Sequence, residues 1–303
     1  MSIFSGLSAF PVTPADTHGH VDCNHLGRLV ERLAASKVSS IGVLGSTGCY
    51  MYLPLEQRKR ALESAIEAAG HKPVVASIGA MRTSDVCELI KHAQNAGAKG
   101  ILLAPVSYLP LTETEVASLF KDAANSTDLP VCFYNNPGTT HFTLSEKLLV
   151  HLAQKKIIAA VKNPPPVDGD FAGQIERLSA VVPDEFLLGY SGDAKIAAAL
   201  QANCDSWYSV MAGTLTDLAV TLWDARKDHQ RLQELDTDLA PLWSVFDSYG
   251  SIRVVYEATG MLGFGSVQLP KPLLPLESKA CEEIESALSR VAALNLRHIH
   301  YLE

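Results

Sequence analysis

Short apolar runs closed by turn residues alternate with longer stretches whose apolar positions recur every three or four residues, up to about Leu215. The short runs predict buried strands at residues 7–12, 40–44, 73–78, 100–104, 130–134, 157–162, 186–190 and 206–210. The longer stretches predict helices. One follows Asp22-Cys23-Asn24 and places Leu26, Leu29, Val30 and Leu33 on one face. A second follows Pro54 and turns Ala61, Leu62, Ala65 and Ile66 inward. A third is capped by Ser84 and runs to Ala96, a fourth opens at Thr112-Glu113-Thr114-Glu115, and a fifth begins at Thr143 and Ser145. Beyond Leu215 the alternation stops, leaving helical patterns at residues 216–227, 230–259 with a break near Gly250, and 277–294.

Strands separated by helices must run parallel, because each crossover returns the chain to the same end of the sheet. Roughly eight such units in about 230 residues match the size of a (β/α)₈ TIM barrel. A doubly wound open sheet is the competing architecture; the first predicted strand is not followed by its G-x-G-x-x-G turn. The expected organisation is an α/β barrel domain over residues 1–225 and a C-terminal helical extension over residues 226–303.

A barrel of this kind gathers its chemistry at the C-terminal ends of its strands. The sixth apolar run ends in Lys162, followed by Asn163 and three prolines. Burial disfavours the charged form of a lysine and frees a nucleophilic amine, which is what imine chemistry with a carbonyl compound requires. The fifth run ends in Tyr134, on the neighbouring strand at the same rim, where a phenol can relay protons. The second run ends in Gly45-Ser46-Thr47-Gly48, a tight turn with two hydroxyls and backbone N–H groups suited to a carboxylate. Each feature alone has an ordinary reading: a lysine snorkelling to water, a packing tyrosine, a simple Gly/Ser turn. Amine, phenol and anion cradle at three strand ends together describe Schiff-base chemistry on a 2-oxo acid.

Composition narrows the partners. The 303 residues carry 25 Lys and Arg against 33 Asp and Glu, a net charge of −8, with no basic stripe. Nucleic acid is therefore not an expected partner. No apolar run reaches the ~20 residues of a membrane span, and the N-terminus lacks a signal-peptide pattern. The six cysteines are scattered, as expected of reduced thiols in a cytoplasmic protein. The ten histidines show no H-x-x-x-H spacing, so neither a metal nor another cofactor is expected. His141 and Cys49 stand near the expected site without a required role, and Asp193 is accounted for by an acidic place at a helix start.

The ordered set Gly45-Ser46-Thr47-Gly48, Tyr134-Asn135-Asn136-Pro137, Val161-Lys162 and Leu273-Leu274-Pro275-Leu276 resembles the dihydrodipicolinate synthase / N-acetylneuraminate lyase family of class I aldolases, over essentially the whole chain. The resemblance implies a lyase with Lys162 as the imine-forming residue and Tyr134 as the proton carrier. It also implies carboxylate contacts from Ser46 and Thr47, the backbone of Tyr208 near the lysine, and a homotetramer built from tight dimers. The sequence departs from the family where a second substrate would sit. Cys49 and Asn163 replace glutamates, Thr139 replaces the synthase's arginine, and Val106-Ser107-Tyr108 replaces its paired tyrosines, with Tyr108 one place late; Thr139 and Tyr108 are expected substrate contacts at these positions. The expected activity is aldolase or lyase chemistry on pyruvate or a related 2-oxo acid, preferably cleavage of a 2-oxo-4-hydroxy acid. The alternatives are a 2-oxo-acid-binding protein with little turnover and an authentic dihydrodipicolinate synthase.

Overall fold

The computed structural model describes residues 2–293. Eight strands of four residues each form the sheet: β1 (Gly6–Ala9), β2 (Ser40–Val43), β3 (Val74–Ser77), β4 (Gly100–Leu103), β5 (Val131–Tyr134), β6 (Ala160–Asn163), β7 (Leu187–Tyr190) and β8 (Ser206–Ser209). They pair in parallel in chain order, and β8 returns to β1, closing the sheet into a barrel. This is the TIM barrel that the alternation predicts. Around it lie α1 (Cys23–Ala34), α2 (Leu55–Ala69), α3 (Thr83–Ala96), α4 (Glu113–Ala124), the single turn α5 (Pro137–Thr140), α6 (Glu146–Gln154), α7 (Phe171–Ser179), α8 (Ile196–Gln201) and α9 (Thr216–Asp224). The extension is α10 (His229–Asp238), α11 (Ala240–Tyr249), α12 (Ser251–Met261) and α13 (Ser278–Ala293).

The boundaries differ from the apolar runs for local reasons. Strand β1 stops before Pro11, which has no N–H to offer. Strand β6 starts at Ala160, not residue 157, because Ile157 N donates to Leu152 O at 3.0 Å and belongs to the turn that closes α6. Helix α3 begins at Thr83, and Arg82 takes the cap position predicted for Ser84, with its guanidinium 2.6 Å from Asp85. The 230–259 pattern is broken twice: at Gly250, whose φ is +81°, and before α11, which carries a proline in its first turn. The predicted last residue of α13, Leu294, lies outside the described residues. Among the described residues no helix is long and apolar enough to cross a membrane.

The barrel interior makes room for aromatic rings by means of glycine. A Cβ on Gly42 would lie 2.3 Å from the Phe10 ring, and one on Gly189 would lie 2.4 Å from the Tyr208 ring. Phe10 and Tyr208 meet edge to face, with centroids 6.2 Å apart. They form a floor beneath the strand ends. Gly42→Ala should force Phe10 out of place and destabilise the fold by about 1–3 kcal/mol, the usual effect of overpacking. Thermal unfolding measures it, and an unchanged midpoint would mean that the floor yields freely.

Candidate active site

Parallel pairing of β5 with β6 sets Tyr134 opposite Lys162, and Asn135 N donates to Lys162 O at 3.0 Å. Lys162 is 3% exposed. Its Nζ lies 4.1 Å from the Tyr134 ring centroid, 4.2 Å from that of Phe10 and 5.7 Å from that of Tyr208. Three rings from three strands or their exits therefore hold the amine in one place. The Tyr134 hydroxyl accepts from Asn136 Nδ2 at 3.1 Å and lies 3.4 Å from Ser46 Oγ. Amine, phenol and turn hydroxyl, read separately from three strand ends, thus meet at one end of the barrel.

The turn after β2 is tightly formed. Leu44 and Cys49, which flank Gly45-Ser46-Thr47-Gly48, adopt φ of +62° and +50°. A leucine in the left-handed region is strained, and such strain persists where the surroundings over-determine it. Thr47 is buried in this turn. Tyr208 lies lower, fully buried, with its hydroxyl 3.5 Å from Cys132 Sγ. Burial pushes the Cys132 thiol up to about 12 and raises the Tyr208 phenol as well. Thr139 is exposed on α5, and its hydroxyl donates to Asn136 O at 3.4 Å. Tyr108 is 87% exposed, in the loop between β4 and α4.

The dihydrodipicolinate synthetase family model matches residues 3–291. The chain belongs to this family. A 4-hydroxy-tetrahydrodipicolinate synthase of Staphylococcus haemolyticus is 29% identical over 280 residues, covering 91% of this chain and 92% of that protein. The crystal structure of a dihydrodipicolinate synthase from Agrobacterium tumefaciens is 46% identical with a TM-score of 0.93, covering 95% of this chain and 98% of that one. YagE, a prophage protein of the family from E. coli K12 solved in complex with pyruvate, shares the fold at 23% identity with a TM-score of 0.88. The alignment covers 96% of this chain and 99% of YagE. Membership makes this protein a lyase of the class I, Schiff-base aldolase family.

Two departures from the family have clear surroundings. Asn163 Oδ1 accepts from Asn135 Nδ2 at 3.0 Å, and its backbone carbonyl accepts from Ser191 N at 2.9 Å. It ties the ends of β5, β6 and β7 together without a charge. Cys49 is buried beside Tyr256 of α12, and burial raises its thiol while the charge of Arg253 acts the other way. His141, also at φ +55°, is exposed and closes α5. Phe10 and Asn136 lie beside Lys162 and Tyr134 but end no apolar run: Phe10 stands inside the first predicted strand and Asn136 inside the Tyr134-Asn135-Asn136-Pro137 motif.

Asp193 opens a short helical turn at residues 193–195, just before α8, as expected of it, and its carboxylate has a second role. It is 3% exposed. Trp207 Nε1 donates to one carboxylate oxygen at 2.8 Å, and the backbone N–H groups of Val210 and Met211 donate to the other at 3.1 Å each. Burial raises its carboxyl, while these donors and the field of Lys162 act in the opposite sense. Asp193 therefore anchors the chain where it leaves β8. The Gly192-Asp193 pair was visible in the sequence, but its partners lie 14 or more residues away. Asp193→Ala would leave these donors unpaired and should cost about 2–5 kcal/mol, with Asp193→Asn milder because it keeps one acceptor. Equal unfolding midpoints for Asp193→Ala and the parent would show that water replaces the carboxylate.

Proposed function

We propose that this chain acts on pyruvate or a related 2-oxo acid through an imine on Lys162, with Tyr134 moving the protons. The observation that carries the reading is the Tyr134–Lys162 register pair, with Nζ 4.1 Å from the phenol ring and Ser46 Oγ 3.4 Å from its hydroxyl. The Lys162 amine adds to the C2 carbonyl. The C2 oxygen takes up two protons and leaves as water, and the nitrogen forms the C=N bond. Loss of a C3 proton, or cleavage of the C3–C4 bond, then sends an electron pair into the C2=C3 bond of an enamine. Tyr134 gives and takes the protons, Ser46 and Thr47 receive the carboxylate, and the backbone of Tyr208 borders the amine from β8. Fixed placement of amine and phenol is the chief contribution of the protein.

The second half of the substrate would meet Asn136, Thr139 and their neighbours, which offer hydroxyls and an amide. That supports an uncharged, hydroxylated chain, and cleavage of a 2-oxo-4-hydroxy acid as the reaction. Tyr108, a candidate substrate contact, also belongs to a surface feature. With Leu109, Met81, Tyr52 and Met51 it makes an exposed apolar rim on the loops after β2, β3 and β4, which supports pairing with a second copy, in keeping with a homotetramer. Unpaired cysteines support a cytoplasmic location. The barrel, residues 1–225, carries the proposed catalytic residues, and the extension from residue 226 brings Arg253 and Tyr256 beside Cys49.

Borohydride reduction with pyruvate should add the reduced pyruvyl mass to the peptide containing Lys162. Label on another lysine, or none with any 2-oxo acid, would overturn the proposal. Tyr134→Phe should fold normally and lower kcat by about 10²-fold or more; near-parental kcat would remove Tyr134 from the mechanism. With pyruvate and aspartate semialdehyde, kcat/KM should stay below the ordinary enzyme range of ~10⁴ M⁻¹s⁻¹, because Thr139 has no charge to offer a second carboxylate. A value above it would identify an authentic synthase, and trapping without proton exchange at the pyruvate methyl would identify a binding protein.

A further inference from the structure

Asn136 is placed to act on Tyr134. It precedes α5 at the N-cap position, where an asparagine usually turns its side-chain oxygen onto the helix's first N–H groups. Its side chain makes no such bond. Its backbone carbonyl does the local work instead, accepting from Thr139 N and Thr140 N at 3.0 Å and from Thr140 Oγ1 at 3.0 Å. The side-chain amide donates Nδ2–H to the Tyr134 hydroxyl at 3.1 Å. Its Oδ1 lies 3.9 Å from where a Cβ on Gly138 would stand.

We propose that Asn136 is a positioning residue for proton transfer, holding the Tyr134 oxygen by a donated N–H and stabilising it when it is anionic. The inference rests on the reading of Tyr134 as the proton carrier. A phenol oxygen has one proton and two lone pairs. Asn136 occupies one lone pair, so the O–H remains free for the substrate or for Ser46. Once that proton has gone to the C2 oxygen, the bond from Asn136 becomes charge-assisted and strengthens. The phenolate then removes the C3 proton of the imine, whose nitrogen still carries its own proton and so is positively charged. The C3–H electron pair forms C2=C3, and the C=N pair moves to nitrogen. The Asn136 amide keeps its own proton throughout, so it acts only through Tyr134.

Two substitutions separate this role from helix capping. Asn136→Leu removes the donor with little change of shape. Asn136→Asp keeps an excellent N-cap but sets an anion against the phenolate. The readouts are proton–deuterium exchange at the pyruvate methyl, the fraction of Lys162 trapped by borohydride, and the thermal midpoint. Asn136→Leu should slow exchange about ten- to a hundredfold, with trapping at saturating pyruvate preserved. Asn136→Asp should slow exchange at least as much while keeping the parental midpoint. Parental exchange in Asn136→Leu would overturn the proposal. So would parental exchange in Asn136→Asp beside a loss of both exchange and midpoint in Asn136→Leu, the pattern of a cap. Should Tyr134→Phe exchange as fast as the parent, the reading of Tyr134 falls and this inference with it; slow exchange in Tyr134→Phe beside a fast Asn136→Leu overturns the inference alone.

Discussion

The parallel register of β5 on β6 is the constraint on which the site depends. It sets Tyr134 against Lys162, and Asn135 N bonded to Lys162 O holds the two exits together. A slip of one residue would turn the lysine to the opposite face of the sheet and expose its chain to the surrounding helices. Closure of the barrel prevents such a slip, because each strand is held on both sides and no edge remains free.

The same closure explains the aromatic floor. Inward-facing side chains of a small barrel must fill its interior, and here rings from β8 and from the exit of β1 do so over glycines on β7 and β2. Lys162 stands on this floor with rings about its amine. The floor thus packs the barrel axis below and borders the Lys162 amine above. Asp193 adds a second anchor, binding the exit of β8 through Trp207 and two backbone N–H groups.

Around this core the positions at which the resemblance leads one to expect charge are uncharged. They are Cys49, Asn163 and Thr139. Asn163 shows how a lost charge is absorbed, since its amide pairs with Asn135 and keeps the strand ends joined. The polar groups at the Tyr134 phenol are a hydroxyl and an amide, from Ser46 and Asn136.

What the sequence determined by itself is local. Apolar runs and helical periodicity are properties of neighbouring residues, so the order of strands, the barrel and the endings Ser46, Tyr134 and Lys162 could all be read before the fold was known. Boundaries shifted where a local competitor met the run, such as the proline at Pro11, the helix-closing turn at Ile157 or the Arg82 cap of α3. Only the tertiary structure decided where side chains turned. Phe10 reaches Lys162 across the barrel, Asp193 finds Trp207, and the Tyr208 hydroxyl turns to Cys132, away from the rim. Asn136 leaves its cap for Tyr134, and Tyr108 stands out in solvent. Each of these depends on which rotamer brings together groups from separate strands and loops, and that choice is made by packing across the closed sheet, which no local pattern encodes.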